Sequence, residues 1–391
     1  MRHTLIVAVD RHRYTYGVTR HILIASLLIA VVAGILAFEV TPRMRDLEVY
    51  WTGAVRAAAG EPLYRAEDNH YQYKYLPAFA VLTIPLGWLS EQTARGIWFS
   101  LSLFLVPALL ILSVKLLPSQ RKPSWFLYLI AILVMGKYYV RELSLGQVNL
   151  LFAVVAVLAG LNLIRSRERL GGALMAATAA IKPYGVILLP WLVARRRFAT
   201  IAAAGGVFAL IILTPVVIYG FEGTYELYRA WWVTVSSTTA PNLPNQDNVS
   251  LASLFARWFG AGTSTTALTT IAGLGLIMLM ISVVKKRRGI VAPEGLELSM
   301  LLWMIPLFSP QGWDYVLLIG TPGIVILANA KELMPKPILI ISVIAAATIG
   351  LTIYDVIGRA AYMQIMSSGV ITLCAVTLLI AMGTLRFKRI A

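Results

Sequence analysis

Apolar runs about as long as a lipid bilayer is thick recur from one end of this chain to the other. A crossing needs about 20 apolar residues. Runs near that length fall at residues 20–40, 95–117, 124–140, 149–164, 199–219, 266–284, 296–308, 315–330, 337–354 and 367–385. Charged residues make up only 13% of the 391-residue chain and its mean hydropathy is +0.76, whereas a soluble domain carries about 25% charged residues. The chain reads as an all-α integral membrane protein, one bundle over residues 1–391. The first run lacks a small-residue cleavage site and reads as a retained span rather than a signal peptide.

The net charge of +16 is distributed to match. Lys and Arg gather at 2–20, 115–122, 165–169, 195–197, 285–288, 331–336 and 386–389, in brief interruptions between apolar runs, while the other connections are nearly balanced. Such asymmetry marks cytoplasmic loops, so these clusters are expected inside and the remaining connections outside. No basic groove with interleaved aromatics appears, which argues against nucleic acid as a partner. Cys374 lies alone in an apolar run, and His3, His12, His21 and His70 form no ligand pair. Neither a disulfide nor a zinc-type metal site is expected.

The stretch between Arg169 and Arg195 breaks the pattern. Both flanks are basic, yet Lys182-Pro183 divides the 25 residues between them into halves of about 12, each rising about 18 Å against a core of roughly 30 Å. Two short helices that rise and return are expected, with Lys182, Pro183 and Tyr184 at the apex. Broken backbone at that depth is tolerated only where protein or a water-filled cavity satisfies it. Counting this pair as two gives about 12 transmembrane helices. Two long outer segments remain. Residues 41–94 hold Asp46, an amphipathic helix over 49–59, a turn at Gly60-Glu61-Pro62 and Tyr64, Tyr71, Tyr73 and Tyr75. They end in an apolar stretch, 76–89, interrupted by Pro77 and Pro85, which parity and length make interfacial or re-entrant rather than spanning. Residues 220–265 hold Trp231, Trp232 and an Asn/Gln/Asp cluster. On this topology, polar clusters at 46–50, 146–149, 182–184, 245–248 and 309–314 share one face. A scaffold has no use for such convergence; an enzyme working at that face does.

The segments DLEVYWTGAVRAAAGEPLY, YKYLPAFAVLTIPLGWLS, GQVNLL, AAIKPYGVILLPWLVARRR, NQDNVSLASL and FSPQGWDYVLL resemble, in order and spacing over residues 40–330, hallmark segments of glycosyltransferase family 87. This is the polyprenol-phosphate-mannose-dependent mannosyltransferase family, which includes bacterial phosphatidylinositol-mannoside mannosyltransferases. The resemblance implies a GT-C fold with extracytoplasmic loops forming the active site, at the outer face of the bacterial cytoplasmic (inner) membrane. It also implies a lipid-phosphate sugar donor and inverting transfer. The family's first-loop aspartate, in the Asp-x-x-Val-Tyr context that Asp46 shares, is regarded as the base. Family members often carry a histidine soon after the late Trp-Asp, where this chain has Tyr315 and Val316 after Trp313-Asp314. That histidine's role is not carried over; a phenol can hydrogen-bond there but does not titrate near neutrality.

Inverting transfer needs one base, a carboxylate that takes the acceptor hydroxyl's proton while its oxygen attacks the anomeric carbon; a lipid phosphate leaves without a general acid. Asp46 is the candidate, with a helix N-cap as the plain alternative. Glu48 is the reserve, turned away from Asp46 on a helix. The leaving phosphate needs a cation or free helix amides. Lys182 fits, because a lysine deep in a span costs about 2.5–3.5 kcal/mol and needs a partner or a use; snorkelling outward or pairing with an acid is the alternative. Arg141 is second, unless Glu142 neutralises it, and Lys74 and Arg359 follow.

Gln147 and Asn149 offer paired donors and acceptors to sugar hydroxyls, or cap and bridge helices; Asn245, Gln246, Asp247 and Asn248 make a similar offer. For Asn248 a helix cap is the alternative. Tyr50, Tyr184 and Tyr315 belong to the same wall, and Asp314 fixes a sugar hydroxyl, pairs with Lys182 or caps its span. Trp313, Trp231 and Trp232 stack on sugars or sit in the interfacial belt. With no Asp-x-Asp motif, no metal or other cofactor is expected. The partners expected are a polyprenyl-phosphate sugar, a lipid-linked or surface glycan acceptor and membrane lipids. The rival readings are a lipid or solute transporter, which the broken pair favours, and an inactive relative serving as an assembly partner.

Overall fold

A computed structural model describes residues 41–389, which are helical apart from short connections. The first expected span, the basic cluster at 2–20 and His3, His12 and His21 lie outside the described residues. Helix α1 (Arg45–Ala58) leads through the tyrosine-bearing connection and two short helices, Pro77–Leu82 and Ile84–Gly87, to α2 (Glu91–Lys115). Then come α3 (Ser124–Leu145), α4 (Asn149–Ile164), α5 (Glu168–Ile181), a 3-10 turn Pro183–Ile187, α6 (Leu188–Ala194), α7 (Phe198–Ile212) and α8 (Val216–Asn242). The rest comprises α9 (Leu251–Phe259), α10 (Thr263–Lys285), α11 (Glu294–Phe308), a 3-10 segment Asp314–Gly320, α12 (Thr321–Asn329), α13 (Lys336–Leu351), α14 (Arg359–Ser368) and α15 (Val370–Phe387). Among the described residues, α2, α10 and α15 are long and apolar enough to cross a membrane, and the count rises to 5 if the bent pairs α3–α4 and α7–α8 are each one span. Helices are the natural outcome for such runs, since in lipid each backbone polar group must be satisfied within the segment.

Proline and glycine set most of the boundaries. Pro77 and Pro85 stand in the first turns of the two short helices and keep 76–89 from forming one long one. Helix α3 ends at Gly146, whose φ of 71° is left-handed, and α4 departs with its axis turned by 120°. A side chain at Gly146 is also blocked by α1, because a Cβ there would lie 2.8 Å from Leu47 Cβ. Both backbone sign and close approach therefore demand glycine at this turn. Lys182 is extended (φ −144°, ψ 134°), as a residue before proline prefers. Arg197 donates to Glu168 Oε1 at 2.7 Å, so the two ends of the 168–197 segment meet and Lys182 lies at the bend.

Residues 220–265 depart from the expected long loop. Helix α8 runs on to Asn242, broken only at Gly220 (φ 66°), and α9 fills part of the remainder. Aromatic and polar residues are mixed through 221–242, so no apolar run marked the helix.

The basic clusters within the described residues lie together at one end. Glu297, fully buried, accepts from Trp191 Nε1 (2.7 Å), Arg195 (2.8 Å) and Arg386 (3.1 Å). Glu294 pairs with Arg195 and with Arg197 (3.2 Å), and Arg386 also reaches the Pro293 carbonyl at 2.9 Å. Lys122 pairs with Glu332, while Asn329 Oδ1 takes the Arg121 and Lys122 amides. Leu116 lies against Gly295. Removing one partner of a buried ion network strands the others and costs about 3–5 kcal/mol. Glu297→Ala is therefore expected to lower the thermal unfolding midpoint of the purified protein steeply, with far-UV helicity as the readout.

Candidate active site

The opposite end gathers the polar clusters. Asp46 and Glu48 stand in the first turn of α1, where carboxylates complement the helix dipole. The cap position is Met44, so Asp46 is not the N-cap. Helical periodicity buries Leu47, Tyr50, Gly53, Ala54 and Ala57 and points the two carboxylates apart. Glu48 meets Arg45 at 3.3 Å and Arg95 at 3.4 Å, which takes the reserve base into a surface ion group. Asp46 Oδ2 instead accepts from Gln147 Nε2 at 2.7 Å.

Gln147, in the α3–α4 turn, is the centre of this end. Its Oε1 accepts from Tyr50 (3.1 Å), Tyr75 (3.4 Å) and Lys182 Nζ (3.2 Å), and its Nε2 also donates to the Tyr315 hydroxyl at 3.3 Å. Lys182 Nζ donates to Asn149 Oδ1 at 2.8 Å, and the Tyr75 and Tyr184 rings lie 5.7 and 5.6 Å away. Asn149 Nδ2 in turn donates to Glu142 Oε2 at 2.8 Å, and the Leu150 amide to Glu142 Oε1 at 2.9 Å. Glu142 thus faces away from its neighbour Arg141 and sets a negative charge one amide removed from Lys182. Burial pushes the Tyr75 phenol up to about 12 and holds Tyr50 well above its ordinary value, so both act as donors at neutral pH. Burial lowers the Lys74 ammonium from its usual value, and the charge on Asp46 acts in the opposite sense.

A second group adjoins the first. Arg141 donates to Asp314 Oδ1 at 2.8 Å and Asp247 Oδ2 at 2.7 Å. The segments carrying those carboxylates are knitted by a short antiparallel bridge, Asn248 to Trp313, with the Asp314 amide on the Asp247 carbonyl (2.8 Å) and the Val249 amide on Gly312 (2.7 Å). Tyr315 joins the two groups, its hydroxyl on Gln147 and its ring 5.3 Å from the Arg141 guanidinium. Asp314 therefore pairs with Arg141 rather than Lys182. Two carboxylates on one guanidinium leave this trio net negative, and Arg141 ties the two loops together.

The remaining expectations fall unevenly. Asn245 is exposed and its side chain closes a turn onto the Asp247 amide at 2.9 Å; Gln246 supplies a carbonyl to Arg257 at 3.1 Å. Asn248 holds the Pro310 carbonyl at 2.8 Å, while Ser250 is the residue that caps α9. Trp313 is half-buried, Trp231 donates to the Lys74 carbonyl at 3.1 Å, and Trp232 and Arg359 are exposed. Among the described residues no group of three or more His, Cys, Asp or Glu side chains is placed to hold a metal ion.

A model of glycosyltransferase family 87 matches residues 73–310, more than half of the chain. The chain belongs to glycosyltransferase family 87. This family 87 protein is accordingly a glycosyltransferase, with helices suited to a membrane. The matched region includes Tyr75, Arg141, Glu142, Gln147, Asn149, Lys182 and Asp247; Asp46 and Trp313 to Tyr315 flank it and are tied to it by the hydrogen bonds above. No curated protein matches the chain closely enough to count as a relative. Sequence reasoning about this glycosyltransferase left Glu142 and Tyr75 outside the candidate site, and offered Asp247 to sugar hydroxyls rather than to Arg141. Glu142 had a signal, since a carboxylate inside an apolar run needs a partner; Tyr75 had none.

Proposed function

We propose that this glycosyltransferase moves a hexose, mannose on the resemblance, from a polyprenyl-phosphate carrier to a lipid-linked or cell-surface glycan acceptor, inverting the anomeric centre. We assign the reaction to the extracytoplasmic face, a reading supported by the site's lying at the end opposite the basic clusters, and to a bacterial inner membrane on the resemblance alone. The observation that carries the reading is Gln147, which bridges the Asp46 carboxylate and the Lys182 ammonium through two hydrogen bonds. Asp46 takes the proton of the acceptor hydroxyl as that oxygen bonds to the anomeric carbon. The bond from that carbon to the donor phosphate breaks, its electron pair stays on the phosphate oxygen, and Lys182 offsets the charge formed there. An ammonium has three N–H donors; Gln147 and Asn149 take two, and the third is left for the phosphate. On the resemblance, Tyr184, Asn245, Gln246 and Trp313 are assigned to the two sugars, while Asn149 has both ends of its amide engaged by Lys182 and Glu142. No metal has a part in this scheme. We read the architecture as a GT-C bundle of about 12 membrane helices, the shorter apolar segments included.

Nothing in the geometry favours a transporter. The test is purified protein in liposomes given polyprenyl-phosphate-linked radiolabelled mannose, glucose or arabinose and a glycolipid acceptor. Expected is release of polyprenyl phosphate matched by sugar on the acceptor, with no transfer from a nucleotide sugar alone. Turnover of the nucleotide sugar, or solute flux without transfer, would overturn the reading.

A further inference from the structure

The most completely bonded side chain at the site is neither the proposed base nor the proposed cation. Gln147 is 6% exposed, and both ends of its amide are engaged: Oε1 by Lys182, Tyr50 and Tyr75, Nε2 by Asp46 and Tyr315. Its main chain is fixed as well, with the carbonyl taking Trp98 Nε1 at 3.3 Å and the amide on the Glu142 carbonyl at 3.1 Å. The amide's orientation follows from chemistry, since an ammonium only donates and a carboxylate only accepts. The oxygen must face Lys182 and the nitrogen Asp46. Neither glutamate nor methionine reproduces that pair of bonds, because one cannot donate and the other does neither. A sugar hydroxyl would find no free valence here.

We propose that Gln147 is a positioning residue that touches neither sugar and acts by holding Asp46 and Lys182 at fixed spacing and orientation. Its left-handed neighbour Gly146 brings the turn against Leu47, one residue from Asp46, so backbone and side chain locate the carboxylate together. During transfer Asp46 gains a proton while negative charge grows on the phosphate beside Lys182. The amide dipole, N–H toward one and C=O toward the other, lets each group keep its place through that change without reorganisation. This inference rests on reading Asp46 as the base.

The experiment is a double-mutant cycle on the full chain with polyprenyl-phosphate-mannose as donor, measuring kcat, the KM of donor and acceptor, and the unfolding midpoint. Gln147→Met and Gln147→Glu are each expected to lower kcat about 100-fold, the order of loss that a 1 Å misplacement produces, with both KM values held within about twofold. In the Asp46→Asn background, measured as single-turnover radiolabel transfer, Gln147→Met should change the residual rate by less than about twofold, because residues that act as a unit are non-additive. Should Gln147→Met fail to fold, Gln147→Glu, which keeps the three bonds to Oε1, carries the same comparison. A raised KM with kcat preserved makes Gln147 a substrate ligand and overturns the proposal. So does an equal loss in both backgrounds, or a wild-type rate in Gln147→Met. Wild-type transfer by Asp46→Asn is a different result, and it overturns the base assignment itself.

Discussion

Asp46→Asn is expected to lower sugar transfer between about 100-fold and 10,000-fold, the range a positioned general base supplies, or roughly 3–5 kcal/mol of barrier. The protein should still fold, because asparagine keeps the shape of aspartate and the position is only half-buried in the first turn of α1. Donor binding should persist as well, since on the proposed mechanism the phosphate is held by Lys182. The measurement is initial-rate transfer from labelled polyprenyl-phosphate-mannose, with donor affinity and unfolding midpoint taken on the same preparation. Near-wild-type transfer would remove Asp46 from the role. Loss of transfer in step with a lowered midpoint would make it a structural residue. The alternative assigned to Asp46 from sequence, helix capping, has already lost its footing, because the chain enters α1 at Met44 and the aspartate lies inside the helix.

Local chemistry was legible where one residue type has one consequence. The start and end of α4 at Asn149 and Ile164, the break at Lys182-Pro183 and the interruptions at Pro77 and Pro85 agree with the sequence reading. Each is fixed by hydropathy or by the geometry of proline, which act within a turn or two. The clustering of five polar segments at one end was also legible, because charge asymmetry fixes which connections share a face. Pairings across the chain were not. Arg141 sits beside Glu142 in sequence, but successive helical residues point about 100° apart, and its partners Asp247 and Asp314 lie 106 and 173 residues away. Helix α8 went unseen because its surface mixes aromatic and polar side chains. Gln147 was visible as one of two amides at a helix start; its place between base and cation needed Tyr50, Tyr75, Lys182 and Tyr315 brought together from four separate elements.

Lys182→Met separates the functional from the structural account of that lysine by the size of its effect on stability beside its effect on rate. A buried ammonium is costly at membrane depth, and here it is 7% exposed and bonded to two neutral amide oxygens. Its counter-charges, Glu142 and Asp46, are each reached through one amide, Asn149 and Gln147. Methionine fills the same volume without the charge. The change leaves Asn149 Oδ1 without this donor, a loss of about 1–3 kcal/mol, while Gln147 Oε1 keeps Tyr50 and Tyr75. Against that stands relief of the charge's desolvation, about 2.5–3.5 kcal/mol on the insertion scale. The two nearly cancel, and the attraction of Glu142 and Asp46 for the ammonium is lost as well, so the unfolding midpoint is expected to stay level or fall slightly. Transfer is expected to fall about 100-fold to 1,000-fold, the cost of deleting a group aimed at charge that develops in the transition state. Lys182→Arg should not restore it, because the planar fork is longer and wider than an ammonium and cannot sit between the two amide oxygens in the same way. A protein that keeps its rate as Lys182→Met, or that loses rate and fold together, would show that this lysine holds the hairpin in place and leaves the phosphate to another group.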